Sequence, residues 1–540
     1  MMNGCLYRRT LLFVVGFGLT AGMASAQHEH GNAEAEGPEL PESFSEPMPM
    51  LPAALGEHAH RISSMNAEAQ AYFNQGFQLM YAFAKEDAAR SFREAWERDS
   101  DCAICYWGEA WAWGSYLNGP MRPFEAPHAY AAIQAARARL DHASDSERAY
   151  IEAMAVRYVE DFDPDTRRDQ DTAYADAMRG LAEAYPDDLD AVTLYADALF
   201  LLEPRRGTRD LADPNVQRLH GVLESVLARN IRHPGACHLY IHATESTTQP
   251  DKAAACAEYL GSAIPGASHI NHMPSHTWNE IGRWGDGVRA NLKAWHSDLK
   301  ADIGEGLAIY PSHNLHMLLF AAAMDGQGAV AIQAGKDYAA LTDDSVFQVL
   351  TLTRFGRFDE VLEVTDRPAQ EASGGLWDFA QGYAHLRRGD ADFARVYLDR
   401  VLATAETTTA RFQFDSAKLL LGTVGAILEG EIHRDAGDLT AAIASFERAV
   451  EMEDDLEYSE PEPLPFSARH WLGAALIEAG RHADAERVYR DELTDHPHNG
   501  WSLFGLQAAL SGQGRSLGEV DEALDASWAR SDTWLRASRF

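Results

Sequence analysis

Five times in this chain a glycine turn is followed by a helix-length segment in which small and aromatic residues recur at helical spacing. Gly282-Arg283-Trp284 leads to Ala290 and Ala294, and Gly356-Arg357-Phe358 to Val361. Gly389-Asp390 leads to Ala394 and Tyr397; Gly437-Asp438-Leu439 to Ala442, Phe446 and Ala449; Gly480-Arg481 to Ala485 and Tyr489, with Pro497 closing. A helix hairpin needs this pattern: small residues let two helices approach and an aromatic fills the gap between them. An earlier unit, from Asn66 to about Asp99, shows the same design, with Gly76 where two helices must touch and Ala88, Phe92 and Ala95 on one face. Gly356 and Gly389 are 33 residues apart, close to the roughly 34 of tetratricopeptide units. Other spacings are longer, which marks a degenerate array with insertions, among them an acidic, proline-broken loop from about Asp454 to Pro465. Strand alternation is almost absent. The expected fold is all-α, a tetratricopeptide-like solenoid of stacked hairpins whose concave groove takes a peptide or protein partner.

Residues 1–26 read as a cleaved secretory signal: Arg8 and Arg9, an apolar run from Leu11, then Ala24, Ser25 and Ala26 before Gln27. The expectation is a periplasmic or secreted protein cut after Ala26. Residues 27–62 are polar, acidic and proline-rich, a flexible leader whose His28, His30, His58 and His60 read as disordered surface histidines with at most loose affinity for Cu or Zn. The helical repeats divide into an N-terminal part, 63–325, and a C-terminal part, 326–540. The whole chain carries a formal charge of -36, and loss of the two signal arginines makes it -38. Such a surface repels phosphate, which excludes nucleic acid as a natural partner. No other apolar run approaches the roughly 20 residues that span a bilayer.

Four cysteines remain after the signal, an even number suited to two disulfides in an oxidising compartment. Cys237 precedes His238 and Cys256 belongs to the next helix, so a bridge between them would fasten a histidine-bearing helix to its neighbour. Cys102 and Cys105 form a C-x-x-C at a helix start with no βαβ surroundings, which favours a structural bridge over redox or metal use.

Chemistry concentrates in three segments. HLYIHATE places His238, His242 and Glu245 at i, i+4 and i+7 on one helical stripe. HINHMPSH supplies His269, His272 and His276, with Pro274 opening a helix and His269 on the turn before it. YPSHNLH supplies His313 and His316. Successive hairpins of a solenoid are adjacent, so seven imidazoles and one carboxylate are expected to converge. Imidazole with at most one carboxylate suits Zn, Cu or non-haem Fe and does not suit Ca or Mg. Glu245 is the candidate third ligand or general base, which would make the protein a metal-dependent hydrolase or oxidase. Against this stands a plain interaction scaffold, in which these histidines bond backbone groups and pack on Tyr240, Trp278, Trp284 and Tyr310. No H-E-x-x-H, G-x-S-x-G or G-x-G-x-x-G occurs, and Ala267 stands where a P-loop lysine would. Tyr106, Trp107, Trp111 and Trp113 read as hairpin core.

Four segments, Ser91–Gly114, His233–Glu245, His272–Asn291 and Tyr310–Leu318, resemble a large bacterial family of exported tetratricopeptide repeat proteins, with motifs of the form HPGAxHxYIHAxE, HMPSHxY and YxxHNxHxL. The likeness covers roughly residues 65–325. It implies a helical-repeat fold and a histidine pocket; the family has no settled activity, so it implies no substrate. The chain departs from the family pattern at Lys85, where members often carry histidine, and at Ser115-Tyr116, where they carry Pro-Asn.

Overall fold

Asn66 starts the first hairpin by accepting hydrogen bonds from the Glu68 and Ala69 amides, which caps helix Ala67–Tyr81. A turn at Ala82–Ala84 leads into helix Lys85–Arg98, and Phe92 crosses back onto Gly76, where an added Cβ would come within 2.9 Å of the ring. The expected close approach at Gly76 is therefore real, and it leaves no space for a side chain. The same design recurs in Glu371–Arg387 with Ala391–Thr407, Ala417–Asp435 with Leu439–Asp454, and Arg469–Glu478 with His482–Asp495. Gly389 and Gly437 end the first helices of two of these pairs at φ 88° and 82°. Nothing lies near where their Cβ atoms would stand, so the left-handed backbone alone requires glycine.

The computed structural model describes residues 40–204 and 207–540. The expected signal segment with its cut after Ala26, as well as His28 and His30, lie outside these residues. The fold is all-α and built of helix hairpins, as the spacing predicts. Among the described residues the strands are one two-residue pair, Arg411–Phe412 antiparallel to Asp415–Ser416, with Arg411 opposite Ser416. Among the described residues no helix is long and apolar enough to cross a membrane. Trp107, Trp111 and Trp113 are buried, as the core reading of that run requires.

Four features differ from the sequence expectations. The described part of the presumed leader is packed: the Met48, Leu51 and Gly56 amides donate to Glu94, Gln75 and Gln78, and Met48, Ala54 and Ile62 are buried. His58 and His60 are held rather than loose, because both rings donate to Asp190 at 3.1 and 2.7 Å. A polar, proline-rich segment satisfies its backbone here through glutamine side chains of the first helix, an arrangement invisible to composition. Second, one apolar cluster runs across residue 325, containing Val288, Leu315 and Leu319 together with Phe347, Phe379 and Trp471. Third, the acidic loop after Asp454 folds inward. Tyr458 donates to Glu280, and Glu460 reaches His276.

Fourth, the C-terminal repeats carry their own peptide. Tyr383 donates to the Phe540 carbonyl at 2.7 Å, Ser538 to the His470 carbonyl at 2.7 Å, and the Phe540 ring packs on Trp471 with centroids 4.8 Å apart. Residues 538–540 thus lie against helices Glu371–Arg387 and Arg469–Glu478.

The cysteines pair as anticipated in position. Cys102 and Cys105 stand at disulfide distance with Cα atoms 5.4 Å apart. Cys237 and Cys256, with Cα atoms 4.9 Å apart, link helix Pro234–Thr244 to helix Ala254–Leu260.

Candidate metal centre

Three short pieces of helix deliver the imidazoles. Pro234 fixes the first turn of helix Pro234–Thr244, and His233 caps it by accepting from the Ala236 amide; its buried face carries His238 and His242. His269 and His272 lie on helix Ser268–His272, which runs through Met273 in helical conformation into Pro274–Glu280, bearing His276. His269 is therefore helical rather than part of an incoming turn. His313 sits at the start of helix Pro311–Met324.

Six of the seven predicted histidines converge into two adjacent triads. Within each triad one ring nitrogen per residue lies within 4.8 Å of the others: His238, His242 and His269 in one, His272, His276 and His313 in the other. Nε2 of His238 is 3.1 Å from Nε2 of His269, and Nε2 of His276 is 3.0 Å from Nε2 of His272. The triads are contiguous, since the His269 and His272 rings lie 5.2 Å apart and those of His242 and His276 5.5 Å apart.

The outer nitrogens decide which atoms are free to bind. Nδ1 of His238 donates to the Tyr81 carbonyl at 2.6 Å. Nδ1 of His242 donates to Glu245 Oε1 at 2.8 Å, and Nδ1 of His276 lies 2.7 Å from Glu245 Oε2 and 2.8 Å from Glu460 Oε2. Nδ1 of His272 faces Asn291 Oδ1 at 3.2 Å, and Asn291 is oriented by its own amide, which donates to the Gly287 carbonyl. All four partners are acceptors, so Nδ1 carries a proton in each ring, and in the rings that stay neutral Nε2 presents a lone pair. Carbonyls and carboxylates behind ligand imidazoles fix tautomers in just this way. Nε2 of His242 is buried without a partner.

His272 and His276 bring their Nε2 atoms within 3.0 Å of each other in a buried site. A cation has to stand between them: a proton on His276, or a metal ion that His313 completes. Burial, reinforced by neighbouring imidazoles, depresses the basicity of His238, His269 and His272 well below the usual histidine range, which keeps these rings neutral and fit to coordinate. His276 moves the other way, to about 10, because Glu245 and Glu460 outweigh the opposing effect of burial.

Two predicted residues lie outside the triads. His316 does not join either triad. Its Nδ1 accepts from Gln413 at 2.9 Å, and its ring stacks on Phe347 with centroids 4.1 Å apart; one helical turn beyond His313, it already faces the C-terminal repeats. Glu245 stands behind the triads: its carboxylate lies at Nδ1 of His242 and Nδ1 of His276, and with these two rings and Glu460 it forms a further group whose ligand atoms lie within 4.8 Å of one another. Burial raises its carboxyl, but His242 and His276 outweigh that and hold it well below the usual range. Sequence reasoning missed Glu460, Asn291, Phe83 and Tyr81. Asn291 lay within a quoted motif; Glu460 comes from more than 180 residues downstream and carried no local signal.

Aromatic residues seal the centre. The Phe83 ring lies 4.3 Å from His238 and 5.4 Å from His269, and Tyr310 meets His269 edge-on at 5.1 Å. Both are held at left-handed φ, 62° and 57°, a conformation that costs a non-glycine residue of order 1–3 kcal/mol and gathers at working sites. Beyond them is a cavity of about 640 Å³ lined by Lys85, Tyr116 and Tyr310. Lys85 and Tyr116 are two of the positions at which the chain departs from the family pattern. Burial lowers the Lys85 amine to about 8 despite Glu125 at 3.3 Å. On the opposite side His276 borders a larger cavity of about 760 Å³, walled by Glu280, Trp284, Phe320 and the loop around Glu460.

No family model matches the chain, and no curated protein matches it. Among solved structures it is similar to human IFIT1 bound to m7Gppp-AAAA, at 10% identity and a TM-score of 0.30, over 79% of this chain and 90% of that one. It is also similar to the Cut9–Hcn1 hetero-tetramer of the APC/C, at 14% identity and a TM-score of 0.29, over 86% of this chain and 77% of that one. For yeast Tom70 the values are 13% identity and a TM-score of 0.27, over 86% and 92%. Likenesses at this level carry no functional argument.

Proposed function

We propose that the protein is an exported helical-repeat protein that holds transition-metal ions, Zn, Cu or Fe, in its two facing imidazole triads. The carrying observation is the pair of facing ring nitrogens, Nε2 of His272 and Nε2 of His276, 3.0 Å apart, with His313 beside them and Asn291 and Glu245 behind. An all-imidazole donor set suits these metals. Export is supported by the N-terminal sequence pattern, by four cysteines that pair, and by the motif resemblance to exported bacterial repeat proteins. An ion held by three imidazoles keeps an open position and acidifies a water bound there. The chain's own contribution is to fix tautomers through Tyr81, Glu245 and Asn291 and to exclude bulk water with Phe83 and Tyr310.

The rival reading is a metal-free scaffold in which a proton on His276 fills the gap. The peptide at 538–540 already covers part of the repeat face that such a scaffold would offer. Elemental analysis of the mature protein separates the two readings. Stoichiometric metal that disappears in His242→Ala and His272→Ala supports the centre. Metal-free protein whose melting temperature is indifferent both to added Zn, Cu or Fe and to chelator ends the proposal.

A further inference from the structure

The cavity bordering His276 has room for an organic ligand. Its polar wall presents acceptors with few donors left to meet them. Glu280 receives only the Tyr458 hydroxyl, at 3.4 Å, and among the described residues no lysine, arginine or histidine forms an ion pair with it. His276 has one Nδ1 proton for the two carboxylates, Glu245 and Glu460, that crowd it. Asn279, 7% exposed and part of the same wall, keeps its Oδ1 without a hydrogen bond. The cationic groups nearby are already engaged: Arg469 by Asp454 at 2.7 and 2.9 Å, and His496 by Glu492 and Glu462 at 3.0 and 3.1 Å. Facing these acceptors is an apolar surface formed by Trp284, Phe320 and Met317.

We propose that this cavity binds a small organic cation, a primary ammonium or guanidinium carried on an apolar, ring-sized body. An ammonium brings three donors and no acceptor, which matches the carboxyl oxygens of Glu280 and Glu460. Its charge relieves the mutual repulsion of buried carboxylates in a medium where that repulsion is weakly screened. Its apolar body lies on Trp284 and Phe320, whose ring faces also attract cations. A hydrated divalent ion would find no oxygen ligands on the apolar side. A cavity of about 760 Å³ accommodates a ligand of this size. The proposal does not depend on an ion in the triads.

Isothermal titration calorimetry of the full-length mature protein at neutral pH, with phenethylammonium chloride as probe, tests it. The expected result is saturable binding at least tenfold tighter than that of phenethyl alcohol, the neutral analogue. Glu280→Gln should weaken phenethylammonium at least tenfold with an unchanged melting temperature. If that variant fails to fold, Glu460→Gln, on the loop, takes its place with the same expectation. His272→Ala, which breaks a triad, should bind the probe as the parent does. Equal affinity for the alcohol, displacement of the probe by equimolar CaCl2 or MgCl2, or an unchanged affinity in the folded glutamine variant would overturn the proposal. Loss of binding in His272→Ala would assign the ligand to the ion and overturn it too.

Discussion

Two buried carboxylates in this protein are each surrounded by histidine, and they are treated in opposite ways. Glu492, in the C-terminal repeats, accepts from His496 at 3.0 Å, Asn499 at 2.8 Å and Ser502 at 2.7 Å, with His470 3.4 Å away. His496 spends its second nitrogen on Glu462 and His470 bonds Ser502. No side-chain atom of this group is left without a partner. Glu245 also takes two imidazoles, but Nε2 of His276 then turns onto His272 while Nε2 of His242, like Nδ1 of the neighbouring His269, is left without a partner. The chain can satisfy a buried carboxylate and histidine network completely. At Glu245 buried ring nitrogens stay unmet, and an unmet buried polar group costs about 1–3 kcal/mol.

The contrast breaks most sharply under ligand removal. The double variant His238→Ala, His272→Ala should lose all bound metal by elemental analysis, because one lone-pair nitrogen goes from each triad. Metal retained at parent stoichiometry would place the ions elsewhere. Next in size, Glu492→Ala should lower stability by about 3–5 kcal/mol in denaturant titration, since it strands buried imidazoles that have lost their carboxylate, while metal content stays constant. A smaller but distinct effect belongs to the Cys237–Cys256 link, which closes a 19-residue separation. Cys237→Ser with Cys256→Ser should cost about 3 kcal/mol of unfolding free energy by freeing that loop in the unfolded chain.

Glu245→Gln is expected to weaken metal affinity about 10–100-fold in a competition titration, as loss of an orienting carboxylate behind a ligand imidazole does. Should Glu245→Gln instead destabilise the fold as strongly as Glu492→Ala while leaving metal affinity alone, the two sites would be equivalent and the contrast would fall. The smallest effect is in pH dependence. Burial raises the Glu492 carboxyl but His496 and His470 pull it well below the usual range, whereas His496, opposed by burial, is carried well above its usual value by Glu462 and Glu492. The Glu492 contribution is thus present above about pH 4.3 and fades as pH falls, and the His496 contribution is present below about pH 6.5 and fades as pH rises through its raised value. The melting-temperature gap between the parent and Glu492→Gln should be widest between those limits and narrow on either side.

Much of this was legible in the residues. The turn glycines marked hairpin ends because a left-handed backbone excludes most side chains, and Gly76 marked a contact because nothing larger fits beneath Phe92. Six of seven imidazoles were correctly brought together, since i, i+4 spacing and the adjacency of hairpins follow from local geometry. His316 was misplaced because i, i+3 from His313 points near the same face, and only the neighbouring Gln413 and Phe347 show it turned toward another repeat. The segment from 42 to 62 was misread because its partners, Gln75, Gln78 and Asp190, are distant in sequence.

By itself the sequence determined helical periodicity, hairpin turns, the clustered imidazoles and the cysteine pairs, all properties of residue type and short spacing. Tertiary structure alone decided which acceptor stands behind each ring, that Glu245 lies at the Nδ1 atoms of both His242 and His276, and that Glu460 reaches His276 from the far half of the chain. The physical reason is range: a tautomer is set by whichever acceptor lies behind the ring, and those acceptors, Tyr81, Asn291 and Glu460, are supplied by folding rather than by neighbours in the chain.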